Sequence, residues 1–172
     1  MIVKSKQAGM HFSVVPMKKV LIALDYDHTA QKVAEKGFSL AKTMGAEVVL
    51  LHVFTDEAYY STLEYSPIIG FSGFSGEDFS NLISTEGMTK ASNYFLDKIK
   101  DHLGDDSVLV MVDEGDFADV ILKTARHIHA DVIVMGSHSR RWLEKILMGS
   151  VTEKVLHRTS IPLFIIPTKG NK

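Results

Sequence analysis

The chain has 172 residues, 45% of them apolar and 23% charged, which is the size of a single domain able to bury a core of its own. It contains no cysteine, so disulfides, iron–sulfur clusters, thiolate zinc sites and cysteine nucleophiles are excluded. A net charge of −2 gives no basic footprint for nucleic acid, and no apolar run approaches the ~18 residues needed to span a bilayer.

Residues 1–17 carry no clear period and run into Pro16. They read as a loose arm or a misplaced start, with Met10 and Met17 as later starts. The stretch lacks the continuous apolar segment of a signal peptide, so a cytoplasmic setting is expected. Regular structure should begin at Lys18, in one domain over 18–170. The first apolar run, Val20–Leu24, predicts a strand. Val33, Ala34, Gly37, Phe38 and Ala41 then recur at helical spacing, with Gly45 as a stop signal. Val48–Val53 predicts the second strand. Residues 55–86 follow as a long insertion rich in Ser, Gly and aromatics, a composition that suits either a binding loop or an unstructured insertion.

Met88, Ala91, Phe95 and Ile99 mark the next helix and Val108–Val112 the third strand. Asp116 is placed to cap a helix striped by Val120, Ile121, Thr124, Ala125 and Ile128. Val132–Met135 predicts the fourth strand, Val151 and Val155 a short helix, and Leu163–Ile166 the last strand after Pro162. The β-branched runs are mostly continuous rather than alternating, as in parallel strands covered on both faces. Strand–helix alternation of this kind predicts an α/β layered domain with right-handed crossovers. Ligands of such sheets bind beyond the carboxyl ends of the strands, which directs attention to Asp25–Thr29, Val53–Glu57, Asp113–Asp116 and Gly136–Ser139. The acids Asp105, Asp106, Asp113, Glu114, Asp116 and Asp119 lie in a stretch without Lys or Arg and read as solvated faces.

Residues 135–155, MGSHSRRWLEKILMGSVTEKV, carry the densest signal. Gly136 ends a strand, and Gly149-Ser150 opens a helix whose free amides favour anions. Ser150 and Thr152 add hydroxyls. The same residues also fit a plain turn with Ser150 as an N-cap, and residue chemistry leaves both readings open. His138 lies near enough in sequence to meet a ligand, and Arg140 and Arg141 fit either ligand contact or a solvated surface. Trp142, Leu143, Ile146 and Leu147 form an apolar face suited to core packing.

VLIALD at the first strand, LLHV at the second, GDFADVIL after the third, ADVIVMGSHS at the fourth and GSVTEKVLHRTSIPLFIIP at the end resemble the universal stress protein family from Lys18 to Pro167. The family's nucleotide-binding branch has a Gly, two residues, Gly, nine residues, then Gly with Ser or Thr. Gly136 fits the first position, and Arg140 to Met148 supply the nine residues before Gly149-Ser150. Ser139 departs from the pattern by standing where the second Gly belongs. A positive φ there would strain Ser, whereas a need for close approach alone would admit the hydroxymethyl group.

The resemblance implies an open five-stranded parallel sheet of order 3-2-1-4-5 with helices on both faces, Rossmann-like. It implies a stress-response regulator binding ATP or AMP, with Mg²⁺ or Mn²⁺ accompanying ATP and at most slow hydrolysis. Ala23, Leu24 and Asp25 would line the ribose and adenine side, Val53 would offer backbone to adenine, and Met135 would form a wall. Gly136, Ser139, Gly149, Ser150, Val151 and Thr152 would surround the phosphates. A homodimer through Leu163, Phe164, Ile165 and Ile166 is implied as well. The alternative from another class is a nucleotide-free dimeric interaction module, with Ser139 marking an altered pocket.

LDYDHT, residues 24–29, also resembles the first motif of haloacid-dehalogenase-type phosphatases, with Asp25 as nucleophile and Asp27 as general acid. The later motifs fail: Glu114-Gly115-Asp116 with Asp119 is one residue short, and Gly136-Ser137 comes in the wrong order. Asp27 then serves the turn into the first helix, with Thr29 as its cap. His127 and His129 lie two apart, on different helical faces, and read as surface residues. His52 reads as a satisfied polar group in the second strand.

Overall fold

The structure, a computed structural model, describes residues 18–55, 85–137 and 149–168. The 1–17 arm, most of the 55–86 insertion, and the segment holding His138, Ser139, Arg140, Arg141 and Trp142 lie outside the described residues. The elements are β1 (Lys19–Leu24), α1 (Ala30–Met44), β2 (Glu47–Phe54), α2 (Thr85–Leu103), β3 (Leu109–Glu114), α3 (Phe117–His127), β4 (Val132–Gly136), α4 (Ser150–Arg158) and β5 (Leu163–Ile166). All strand pairs are parallel, in the order β3-β2-β1-β4-β5, as expected.

Two apolar layers explain why the central strands read as continuous runs. Val20, Ile22 and Leu24 of β1, Val48 and Leu50 of β2, and Val132 and Val134 of β4 pack with Val33, Ala34 and Ala41 of α1 and Leu96 and Ile99 of α2. The intervening residues Leu21, Ala23, Val49, Leu51, Val53, Ile133 and Met135 face Ala118, Ile121, Leu122 and Ala125 of α3 and Val155 of α4. Side chains alternate across a strand, so burial on both faces demands apolar residues at every position. The edges behave differently. Leu109 of β3 is 55% exposed and Phe164 of β5 is 44% exposed, because an edge strand has one neighbour and incomplete helix cover. The third run is also offset: Val108 is buried just ahead of β3, and the strand continues to Glu114.

Local chemistry sets the helix ends. Gly45 takes φ 63° after α1, a left-handed conformation that glycine adopts without strain. At the start of α3, Asp116 Oδ1 accepts from the amides of Ala118 at 3.0 Å and Asp119 at 3.1 Å, the predicted cap. These amides, the Asp119 amide foremost, and the Lys154 ammonium hold its carboxyl below the ordinary carboxylate range. The acidic stretch is not simply solvated. Asp105 pairs with Lys42, Asp116 with Lys154 at 3.6 Å, and Asp119 with Arg158 at 2.5 Å. The last two tie α3 to α4. Exposed pairs of this kind contribute little individually; Val155 of α4 packs in the same buried cluster as Ala118, Ile121 and Leu122 of α3. Among the described residues no helix is long and apolar enough to cross a membrane.

Candidate functional site

The switch point of the sheet lies between β1 and β4, where successive connections leave for opposite faces. Parallel sheets open a crevice at such a point, beyond the strand ends. The β1–β4 ladder stops at Ala23↔Met135, whereas β1 stays paired with β2 through Leu24↔His52. Asp25, exposed, is the first residue beyond β1. Ala23, Val53 and Met135 share one face and pack with the partly buried Val151 of α4. The Leu24 side chain instead enters the α1–α2 layer, so only its backbone faces the crevice.

The N-terminus of α4 meets the end of β4. Thr152, buried, donates its hydroxyl to the Gly136 carbonyl at 3.0 Å. Gly149, not Ser150, occupies the cap position, with φ −69° and ψ 152°, and no side chain caps the helix. Helical geometry leaves the amides of Ser150, Val151 and Thr152 without an intrahelical acceptor, and the helix dipole adds partial positive charge there. Gly149 has an ordinary φ, so conformational freedom does not explain glycine at this position.

Two contacts fix the start of the loop after β4. The Ser137 amide donates to the Ile166 carbonyl at 2.9 Å, and Ser137 Oγ accepts from the Thr168 amide at 3.1 Å. Lys32 of α1 donates to the Pro167 carbonyl at 2.8 Å. The segment leaving β5 is therefore tied to both the β4 loop and α1. Sequence reading missed this clasp; the hydroxyl directly after the strand-end glycine was its only signal.

Asp27 serves the turn. Its Oδ1 accepts from the Thr29 amide at 2.7 Å, which sets the bend into α1. Thr29 occupies the cap position but makes no side-chain cap bond; its backbone is already helical, at φ −93° and ψ −7°, whereas a capping side chain reaches the next amides from an extended residue. Among the described residues no group of three His, Asp or Glu side chains could hold a metal ion. His127 and His129 are exposed on α3 and just beyond it.

His52 is buried in β2, and its Nδ1 lies 2.8 Å from the Leu24 carbonyl. A carbonyl accepts only, so Nδ1 carries the proton. Its ring meets Phe95 edge-on at 5.4 Å between centroids, and Phe95 meets Tyr26 likewise at 5.0 Å. Desolvation pushes the His52 pKa down, against the opposing effects of the Leu24 carbonyl and the Asp25 charge. A histidine with a lowered folded pKa binds fewer protons folded than unfolded below about pH 6.5, so its contribution to stability is present above that pH and erodes as pH falls. Urea denaturation should show lower stability at about pH 5.5 than at about pH 7.5, by on the order of 1 kcal/mol at most from this one group. A His52→Asn variant should lose most of that difference.

The chain is similar to universal stress protein MJ0577 of Methanocaldococcus jannaschii, at 33% identity over 162 residues, covering 91% of this chain and 99% of the relative. The solved structure of MJ0577 superposes with a TM-score of 0.67 at 30% identity, over 91% of this chain and all of that one. A universal stress protein from Archaeoglobus fulgidus, solved in complex with dAMP, superposes with a TM-score of 0.53 over 88% of this chain and 99% of that one; at 18% identity this likeness bears on the fold alone. The universal stress protein family model matches residues 16–167, and the chain belongs to that family.

Proposed function

We propose that the chain binds an adenine nucleotide, ATP or AMP, in the crevice between β1 and β4 and acts as a nucleotide-dependent regulator in stress response. The observation that carries this reading is the α4 N-terminus, opened by a glycine cap and held against Gly136 by Thr152. Its amides suit phosphate oxygens. Asp25 at the end of β1 suits ribose hydroxyls, since a carboxylate accepts two hydrogen bonds in a charge-assisted pair. The Val53 backbone at the end of β2 suits an adenine edge. Gly136, Gly149, Ser150, Val151 and Thr152 would form the phosphate side, with Ala23 and Met135 as apolar wall; Ser139 lies outside the described residues. Mg²⁺ or Mn²⁺ arriving with ATP would be held mainly by the phosphates and water. A phosphatase using Asp25 and Asp27 is disfavoured, because the Asp27 carboxylate already serves the turn into α1.

Mass spectrometry of small molecules released from the purified protein, followed by calorimetric titration with ATP and AMP, tests the reading. An adenine nucleotide that co-purifies or binds at micromolar concentration is expected. A folded protein with no affinity for either would support the nucleotide-free interaction module.

The proposed assembly is a homodimer through β5. Among the described residues that strand pairs with β4 alone, and Phe164 is exposed while Leu163 and Ile165 are half-buried. Ile166 is buried in its own core, so Leu163, Phe164 and Ile165 would supply the contact. An apolar edge strand left open invites pairing, and a two-fold axis closes it. Sedimentation should give a dimer for the unmodified chain. Ile165→Lys should yield a monomer near 19.1 kDa. A monomeric unmodified protein at tens of micromolar would defeat the assignment.

A further inference from the structure

Asp25 sits between two residues that are pinned by the same pair of rings. On one side, the Leu24 carbonyl is held by His52 Nδ1 at 2.8 Å. On the other, the Tyr26 ring packs edge-on against Phe95, which packs in the same manner against His52. The location gives this arrangement its purpose. The β1–β4 ladder ends at Ala23, so Leu24, the last residue of β1, has no ladder partner on the β4 side. A backbone freed on one edge will move unless another group fixes it. The imidazole is buried and nearly rigid, and it reaches across from β2 to take that carbonyl.

We infer that His52, backed by Phe95, is a positioning residue for Asp25: it locks the end of β1 so that the carboxylate meets the ribose hydroxyls from a fixed backbone. This rests on the nucleotide reading given above. Preorganisation of this kind acts by sparing the ligand the cost of ordering its own site. Burial of His52 is thereby explained as more than core packing, because an apolar residue would fill the space between Leu24 and Phe95 without directing the carbonyl.

A calorimetric double-mutant cycle with ATP on the full-length protein tests the inference. Asp25→Ala should lose about tenfold in affinity, as expected for a charge-assisted pair. His52→Leu, confirmed folded by circular dichroism, should lose a similar amount. The double variant should bind within about twofold of Asp25→Ala alone, because the two residues act as one unit. His52→Asn should retain affinity to within about threefold, since its amide NH₂ can donate from near the place of Nδ1. Should His52→Leu not fold, Phe95→Leu carries the same cycle, releasing both Tyr26 and His52. The inference is overturned if the loss in His52→Leu adds in full to that of Asp25→Ala, or if His52→Leu binds ATP as the unmodified protein does. An unmodified protein that takes no ATP instead overturns the nucleotide reading, and this inference with it.

Discussion

Gly149→Val should reduce ATP affinity by about a hundredfold or more while leaving the protein folded. The expectation follows from where the glycine stands. It is the cap of α4, buried, and directly precedes the amides of Ser150, Val151 and Thr152. Its φ of −69° is accessible to any residue, so valine introduces no backbone strain; the weak capping preference of a β-branched residue costs at most about 1–2 kcal/mol. What valine adds is volume, in the space a phosphate must enter to reach the helix terminus. Two charge-assisted hydrogen bonds contribute about 1.5–3 kcal/mol each, and losing both corresponds to a hundredfold or more at 1.4 kcal/mol per decade. Calorimetry with ATP, paired with a thermal melt, reads both sides. Unchanged affinity in a folded variant would remove α4 from the binding site. The effect should be smaller for adenosine, which has no phosphate to place there.

The sheet was legible in the sequence wherever both faces of a strand are covered. Val20–Leu24, Val48–Val53 and Val132–Met135 fall within a residue of β1, β2 and β4, since two apolar layers leave no polar position to confuse the run. Caps that bond within a few residues were legible too: Asp116 and Asp27 act on amides two or three residues away. Contacts that depend on how separated elements dock were not. The partners of Asp105, Asp116 and Asp119 come from α1 and α4, and nothing in an acidic stretch names a cation so distant in sequence. His52 could be read as a buried polar group, but its acceptor, 28 residues earlier, follows from the β1–β2 register. The site itself divides in the same way. Glycine spacing pointed to the phosphate side, while the placement of Leu24 on the opposite face from Ala23 needed the strand's orientation between its two helix layers.

Gly37 lets α1 lie close against the sheet. A Cβ at Gly37 would stand 2.7 Å from Ile22 Cδ1 and 3.1 Å from Val134 Cγ1. Both neighbours are fully buried in the central strands, so any shift that makes room must be taken up by a packed core. Glycine inside a helix costs about 1 kcal/mol relative to alanine, and here that cost permits a close helix–sheet approach. Gly37→Ala sets a gain of that size against overpacking of about 1–3 kcal/mol, so its net effect should be small to moderately destabilising. Gly37→Val adds two further methyl groups and a stiff χ1, and should lose about 3 kcal/mol, lowering the melting temperature by about 10 °C. The contact makes a second expectation specific. Ile22→Val removes the methyl that clashes, at about 0.5–1.5 kcal/mol by itself, and should recover part of the loss when combined with Gly37→Ala. Strictly additive effects in that pair, or a Gly37→Val protein that melts with the unmodified chain, would show that α1 does not depend on this approach. If α1 is lifted instead, the Asp27–Thr29 turn at its start moves with it, and nucleotide affinity should fall alongside stability in the Gly37→Val protein.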